Sequence, residues 1–123
     1  MEFKYIVEAL RTVKMRKIST ESEIHDEIMK SLKFHNIDFI HEYRISPRKR
    51  FDFWIDGIVI EVKKRRPIEI DLRKQLDKYT REPSVKGMIV VMEKIGGSLR
   101  LPNIMNGKPI IILSLYRNWG VSV

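Results

Sequence analysis

Asp52 and Glu61 are the two residues of this chain best placed by type and spacing to do chemistry, with Lys63 two positions further along. Between them lies Phe53-Trp54-Ile55-Asp56-Gly57-Ile58-Val59-Ile60. Asp56-Gly57 between apolar runs is a strong hairpin signal, because a type I′ turn needs positive φ at both central residues. With that loop, Ile55 opposes Ile58, Trp54 opposes Val59 and Phe53 opposes Ile60. Asp52 is then expected opposite Glu61, Phe51 opposite Val62 and Arg50 opposite Lys63. Alternation puts Phe51, Phe53, Ile55, Ile58, Ile60 and Val62 on one apolar face, and Arg50, Asp52, Trp54, Val59, Glu61 and Lys63 on the other. Opposed like charges destabilise a sheet. A hard divalent cation taking carboxylate oxygens would relieve them, with Lys63 aimed at the same point. The competing reading is a solvated face, with both acids paired diagonally to Lys63 and Arg50.

The elements that must position these residues follow from periodicity. Residues 2–14 read as a helix with Phe3, Ile6, Val7, Leu10 and Val13 on one stripe. That stripe is expected to dock on the domain or on a second copy, the route to a possible homodimer. Residues 20–36 read as a second helix, with a Thr20-x-x-Glu23 capping box and Asn36 ending it. A strand is expected over 38–46, then the hairpin over 50–56 and 57–64. A third helix is expected over 70–81, with Leu72, Leu76 and Tyr79 at helical spacing. Strands at 87–92 and 109–115 follow, with Gly96-Gly97 and 102–108 as irregular connections. The fold class is α/β, a mixed central sheet flanked by helices. One domain spans 1–123: an N-terminal helical extension over 1–18, a core over 19–92 and a C-terminal strand region over 93–123.

The 24 Lys and Arg against 16 Asp and Glu give a formal charge of +8, which favours a polyanionic partner, nucleic acid first. Arg44, Arg48, Lys49, Arg50, Lys63, Lys64, Arg65 and Arg66 bracket the hairpin. The chain has no cysteine, so disulfides, thiolate zinc sites and cysteine-ligated clusters are excluded. No apolar run is long enough to span a membrane and the first eighteen residues are too charged for a signal peptide, so the expected compartment is the cytoplasm. His25, His35 and His41 have no metal-ligand spacing and read as surface or helix residues. Trp54 reads as a packing residue more readily than as a base-stacking one. Tyr116 and Trp119 read as core-closing or dimer-contact residues.

Asp52 followed by Glu61-Val62-Lys63, behind a helix carrying glutamates, resembles the PD-(D/E)XK nuclease superfamily. Its restriction-endonuclease-like α-β-β-β-α-β core matches the element order from residue 20 to about 92. Gln75-Leu-Asp-Lys-Tyr79 resembles the Gln-x-x-x-Tyr motif of the RecB-like branch, and the i, i+4 spacing puts both side chains on one helix face. Phe51 stands where the superfamily's name has proline, a residue with no side chain to offer a metal. The resemblance implies a Mg²⁺- or Mn²⁺-dependent deoxyribonuclease. Asp52 and Glu61 would ligate the metal, with the backbone carbonyl of Val62 as a third ligand. Lys63 would hold the attacking water or stabilise the transition state. Glu23 would complete the metal site, with Glu27 and Glu21 as alternatives, although the capping box alone also accounts for Glu23. Gln75 and Tyr79 would orient the carboxylates or contact phosphate. Hydrolysis of DNA needs a groove that accepts the polyanion, and Arg48, Lys49, Arg50, Lys64, Arg65 and Arg66 are the expected phosphate contacts. No base-reading module is evident, so structure-selective or nonspecific endonuclease action is expected. A RecB-like exonuclease, an idle nucleic-acid-binding module and a subunit of a larger nuclease are the alternatives.

Overall fold

The computed structural model describes residues 3–13, 20–64, 69–93 and 100–115. Three helices, α1 (Phe3–Leu10), α2 (Glu21–Phe34) and α3 (Glu69–Thr80), flank a sheet of β1 (Ile40–Ser46), β2 (Lys49–Ile55), β3 (Ile58–Lys63), β4 (Gly87–Met92), β5 (Ile104–Met105) and β6 (Lys108–Ser114). The strand order is β1-β2-β3-β4-β6-β5. β1, β2 and β3 form an antiparallel meander, whereas β3, β4 and β6 run parallel. A parallel neighbour requires a crossover, and α3 supplies it between β3 and β4. No helix among the described residues is long and apolar enough to cross a membrane.

The central strands bury both faces. Ile60, Val62, Ile89 and Val91 join the cluster under α1 and α2, while Val59, Met88, Val90 and Met92 join the one under α3. The α1 stripe of Ile6, Val7 and Leu10 is buried in the first cluster together with Val13, with Phe3 packed against it. A contact between copies would have to use another face of α1, where Tyr5 is exposed.

Local chemistry sets the element ends. α2 starts at Thr20, whose hydroxyl accepts from the Glu23 N–H at 3.1 Å while Glu23 Oε1 accepts from the Thr20 N–H at 2.9 Å. Asn36 just beyond it has φ 56°, the left-handed conformation that its type tolerates. α1 stops at Leu10, short of the expected 14. The Ala9 carbonyl accepts the hydroxyls of Thr12 (2.7 Å) and Ser31 (2.6 Å), and Thr12 and Val13 close onto carbonyls only three residues back. The irregular connection expected over 102–108 instead contains a hairpin. Asn106 and Gly107 both have positive φ (51° and 76°), and β5 pairs with β6 through Ile104–Pro109 and Met105–Lys108. Asn-Gly is as good a I′ signal as Asp-Gly, but a two-residue strand leaves no periodicity to read.

The Asp56-Gly57 turn forms as expected, with φ 46° and 95°. The Gly57 carbonyl accepts from the Lys86 N–H at 2.8 Å. A Cβ at Gly57 would lie 2.9 Å from the Lys86 side chain and 3.1 Å from the Ser84 carbonyl oxygen. Gly57→Ala is expected to destabilise the fold by about 1–3 kcal/mol, from left-handed strain and this crowding. Thermal melting would register this as a drop of several degrees. An unchanged midpoint would show that the turn relaxes freely.

Candidate functional site

The hairpin pairs as expected from the turn outward to Phe53–Ile60, and there the regular pairing ends. The expected pairs of Asp52 with Glu61, Phe51 with Val62 and Arg50 with Lys63 are absent from the ladder. In their place, side chains satisfy the backbone. The Asp52 N–H donates to Glu61 Oε1 at 3.1 Å, and the Val62 N–H donates to Asp52 Oδ2 at 2.8 Å. The two carboxylates therefore sit where β2 and β3 part.

Phe51 departs from the expected apolar face for the same reason. Phe53 packs in the cluster under α1 and α2, but Phe51 packs under α3, stacked on Trp54 at 5.7 Å and edge-on to Tyr79 at 4.8 Å. Residues two apart share a face only in a regular strand. Here β2 turns over at Asp52, beside Glu42 of β1, which has φ 55°. Trp54 is a packing residue, held by Phe51 and Tyr43.

Glu61 is 4% exposed. Burial, and then the neighbouring Asp52 charge, push its carboxyl up to about 8, against the smaller opposing pull of the Asp52 N–H, Lys63 and Arg50. α3 reaches the pair through one helix face. Gln75 Nε2 donates to Glu61 Oε2 at 3.5 Å and to the Tyr79 hydroxyl at 3.2 Å, and Tyr79 donates to the Arg50 carbonyl at 3.3 Å. Burial raises the Tyr79 phenol, so it stays a donor. The Gln-x-x-x-Tyr spacing thus brings Gln75 to Glu61, and Tyr79 to Gln75 and the β2 backbone. Lys63, Gln75 and Tyr79 line one cavity of about 420 Å³ with Lys74 and Lys78.

Other expected residues are placed elsewhere. Glu23 is exposed, its carboxylate held by the Thr20 backbone and lowered by that bond, and it does not line the cavity beside Asp52. Glu21 does line that cavity, whereas Glu27 pairs with Lys30 at 3.2 Å. Three of the expected phosphate contacts carry acidic partners: Lys49 pairs with Glu82, Lys64 with Glu93 at 3.0 Å, and Arg50 with Glu42 at 3.8 Å. Arg48 and Arg50 remain exposed. Arg65 and Arg66, with Tyr116 and Trp119, lie outside the described residues.

Sequence reading missed two groups. Lys74 and Lys78 add positive charge beside Lys63, a contribution readable from their i, i+4 spacing next to Gln75 and Tyr79. His25 and His41, read as unrelated, meet: His25 Nδ1 lies 2.8 Å from His41 Nε2, and His25 Nε2 lies 4.0 Å from Asp52 Oδ2. Sixteen residues separate the two histidines, and only the β1–β2 register, with His41 opposite Phe53, joins them.

The donor set of two adjacent carboxylates, one deeply buried, suits a hard divalent cation. Burial and the neighbouring Asp52 charge penalise ionised Glu61, and a cation would remove that penalty. The arrangement is an acidic pair with an adjacent lysine at a strand fork in an α/β fold. No family profile, curated protein or solved structure matches this chain.

Proposed function

We propose that this chain is a metal-dependent deoxyribonuclease of the PD-(D/E)XK kind, acting as a small endonuclease of structure-selective or nonspecific type. The observation that carries this reading is the fork at Asp52 and Glu61, with Lys63 two residues along and Gln75 of α3 reaching Glu61 Oε2 at 3.5 Å. Asp52 and Glu61 would hold Mg²⁺ or Mn²⁺, with the Val62 carbonyl as a further oxygen donor. Such an ion neutralises non-bridging phosphate oxygens and lowers the pKa of a bound water.

The chain's own residues supply the rest. The Asp52 and Val62 N–H groups fix the two carboxylates before any ligand arrives, which is the preorganisation that makes electrostatic catalysis effective. Lys63 presents a cation to the developing negative charge or to the attacking water. Gln75 keeps Glu61 oriented, and Tyr79 ties that helix face to β2. Lys74 and Lys78, with Arg48 and Arg50, offer phosphate contacts that position a backbone without reading its sequence.

The test is cleavage of labelled linear duplex, closed circle, single strand, flap and four-way junction DNA, each with Mg²⁺, Mn²⁺ or EDTA. Metal-dependent cutting of a closed circle is the expected result. Degradation confined to substrates with ends would replace the endonuclease reading with a RecB-like exonuclease. No cleavage, with DNA binding indifferent to metal, would leave a nucleic-acid-binding module or a subunit of a larger nuclease.

A further inference from the structure

On the α2 side of Asp52 lies a second cluster of ligating atoms, distinct from the carboxylate pair. His25 of α2 and His41 and Glu42 of β1 each present one ligand atom, and the three atoms lie within 4.8 Å of one another. Both rings are fixed by packing on Phe53, His41 stacked at 4.8 Å and His25 at 5.2 Å. They border a cavity of about 250 Å³ that also meets Glu21, Asp26 and Asp52. Glu42 Oε1 lies 3.9 Å from His41 Nε2, and its other oxygen lies 3.8 Å from Arg50.

We infer that His25, His41 and Glu42 form a binding site for a borderline divalent cation, Zn²⁺ first among them. Two imidazole nitrogens and one carboxylate oxygen are a common zinc donor set, with solvent left to complete a tetrahedron. Imidazole nitrogens also select against Mg²⁺, which the oxygen-only pair of Asp52 and Glu61 favours. The histidine pair needs little change, and the exposed Glu42 side chain closes the rest of the distance. His25 Nδ1 and His41 Nε2 stand 2.8 Å apart. Nitrogens bound to one tetrahedral zinc at about 2.0–2.1 Å lie about 3.3 Å apart, so the rings part by about half an ångström.

A second observation points the same way. His25 Nε2 is the one buried side-chain nitrogen or oxygen among the described residues with no hydrogen-bond partner. Binding a cation through Nδ1 obliges Nε2 to carry the ring's proton and turns it into a donor facing Asp52 Oδ2, 4.0 Å away. A metal-bound histidine commonly donates its other N–H to a carboxylate, which here requires His25 and Asp52 to close by about 1 Å. The site would therefore touch the acidic pair through one imidazole, although it stands independently of the cleavage reading.

The experiment uses the full chain with Glu61→Gln, which disables the carboxylate pair. Zn²⁺ is titrated calorimetrically, Co²⁺ is followed by its visible ligand-field band, and imidazole ¹⁵N signals are recorded. One equivalent of Zn²⁺ should bind in the presence of excess Mg²⁺. Co²⁺ should give a tetrahedral spectrum, and His25 should take the Nε2–H tautomer. His41→Ala and Glu42→Gln should each weaken Zn²⁺ binding by at least the roughly 10–100-fold seen on losing an outer partner of a metal ligand. Glu42→Gln is the variant that spares the ring packing and so separates ligation from folding. Failure of the Glu61→Gln protein to bind Zn²⁺, or equal affinity in both further variants, would overturn the assignment. Neither result would bear on whether the parent chain cuts DNA.

Discussion

Glu61→Gln should reduce metal-dependent cleavage by roughly 10²–10³-fold or more while making the metal-free protein more stable. The two effects have one origin. Glu61 is buried beside Asp52, so its charge is costly in the empty fold and useful only when a cation shares the site. Glutamine keeps the shape and an oxygen for the Asp52 N–H, and Gln75 can turn its amide to meet the new NH₂. What it removes is the negative charge. Initial rates on closed-circle DNA in Mg²⁺ would measure the first effect, and melting in EDTA the second. Lys63→Ala should lose activity comparably. It should not gain stability, because it removes a cation that favours ionised Glu61. A Glu61→Gln protein that still cuts at the parent rate would dissociate the strand fork from the chemistry. Loss of activity together with loss of stability would point instead to a damaged fold.

The parts of this site that lie close in sequence were legible, and the parts that depend on a break in regularity were not. Asp56-Gly57 sets the hairpin, and the i, i+4 rule puts Gln75 and Tyr79 on one side of α3. Strict alternation fails at Asp52 because carboxylates, not carbonyls, take the N–H groups of Asp52 and Val62. Nothing in the composition of β2 announces that exchange, so alternation places Phe51 on the wrong face. Lys49 and Lys64 looked like free phosphate contacts because their partners, Glu82 and Glu93, are about thirty residues away in sequence. The His25–His41 contact needed the β1–β2 register and the seating of α2 together, and neither is a local property. Glu23 was ambiguous in the sequence because the same residue type serves a cap and a cation, and the capping geometry is what formed.

The second large effect is on stability as a function of pH, and its sign follows from Glu61. In the unfolded chain its carboxyl titrates near 4.5, and in the metal-free fold near 8. The native state therefore holds a proton that the unfolded state releases first. The stability linked to this proton is complete below pH 4.5 and is lost as pH rises through 8, after which it changes no further. The loss should amount to a few kcal/mol across that window, enough to lower the melting temperature of a chain this size by about 10 °C or more. Glu23 and Asp77, whose carboxyls are lowered by their hydrogen bonds, act in the opposite sense: their contributions are lost only as pH falls below the usual carboxylate range, outside this window. In Glu61→Gln the decline between pH 5 and 8 should vanish. A cation at the acidic pair competes with the proton, so the stabilisation conferred by Mg²⁺ should be small at pH 5 and grow toward pH 8. Melting curves of both proteins across this range, in EDTA and in Mg²⁺, check each part. A Mg²⁺ effect independent of pH would place the ion away from Glu61, and a decline that persists in Glu61→Gln would assign the titration to another group.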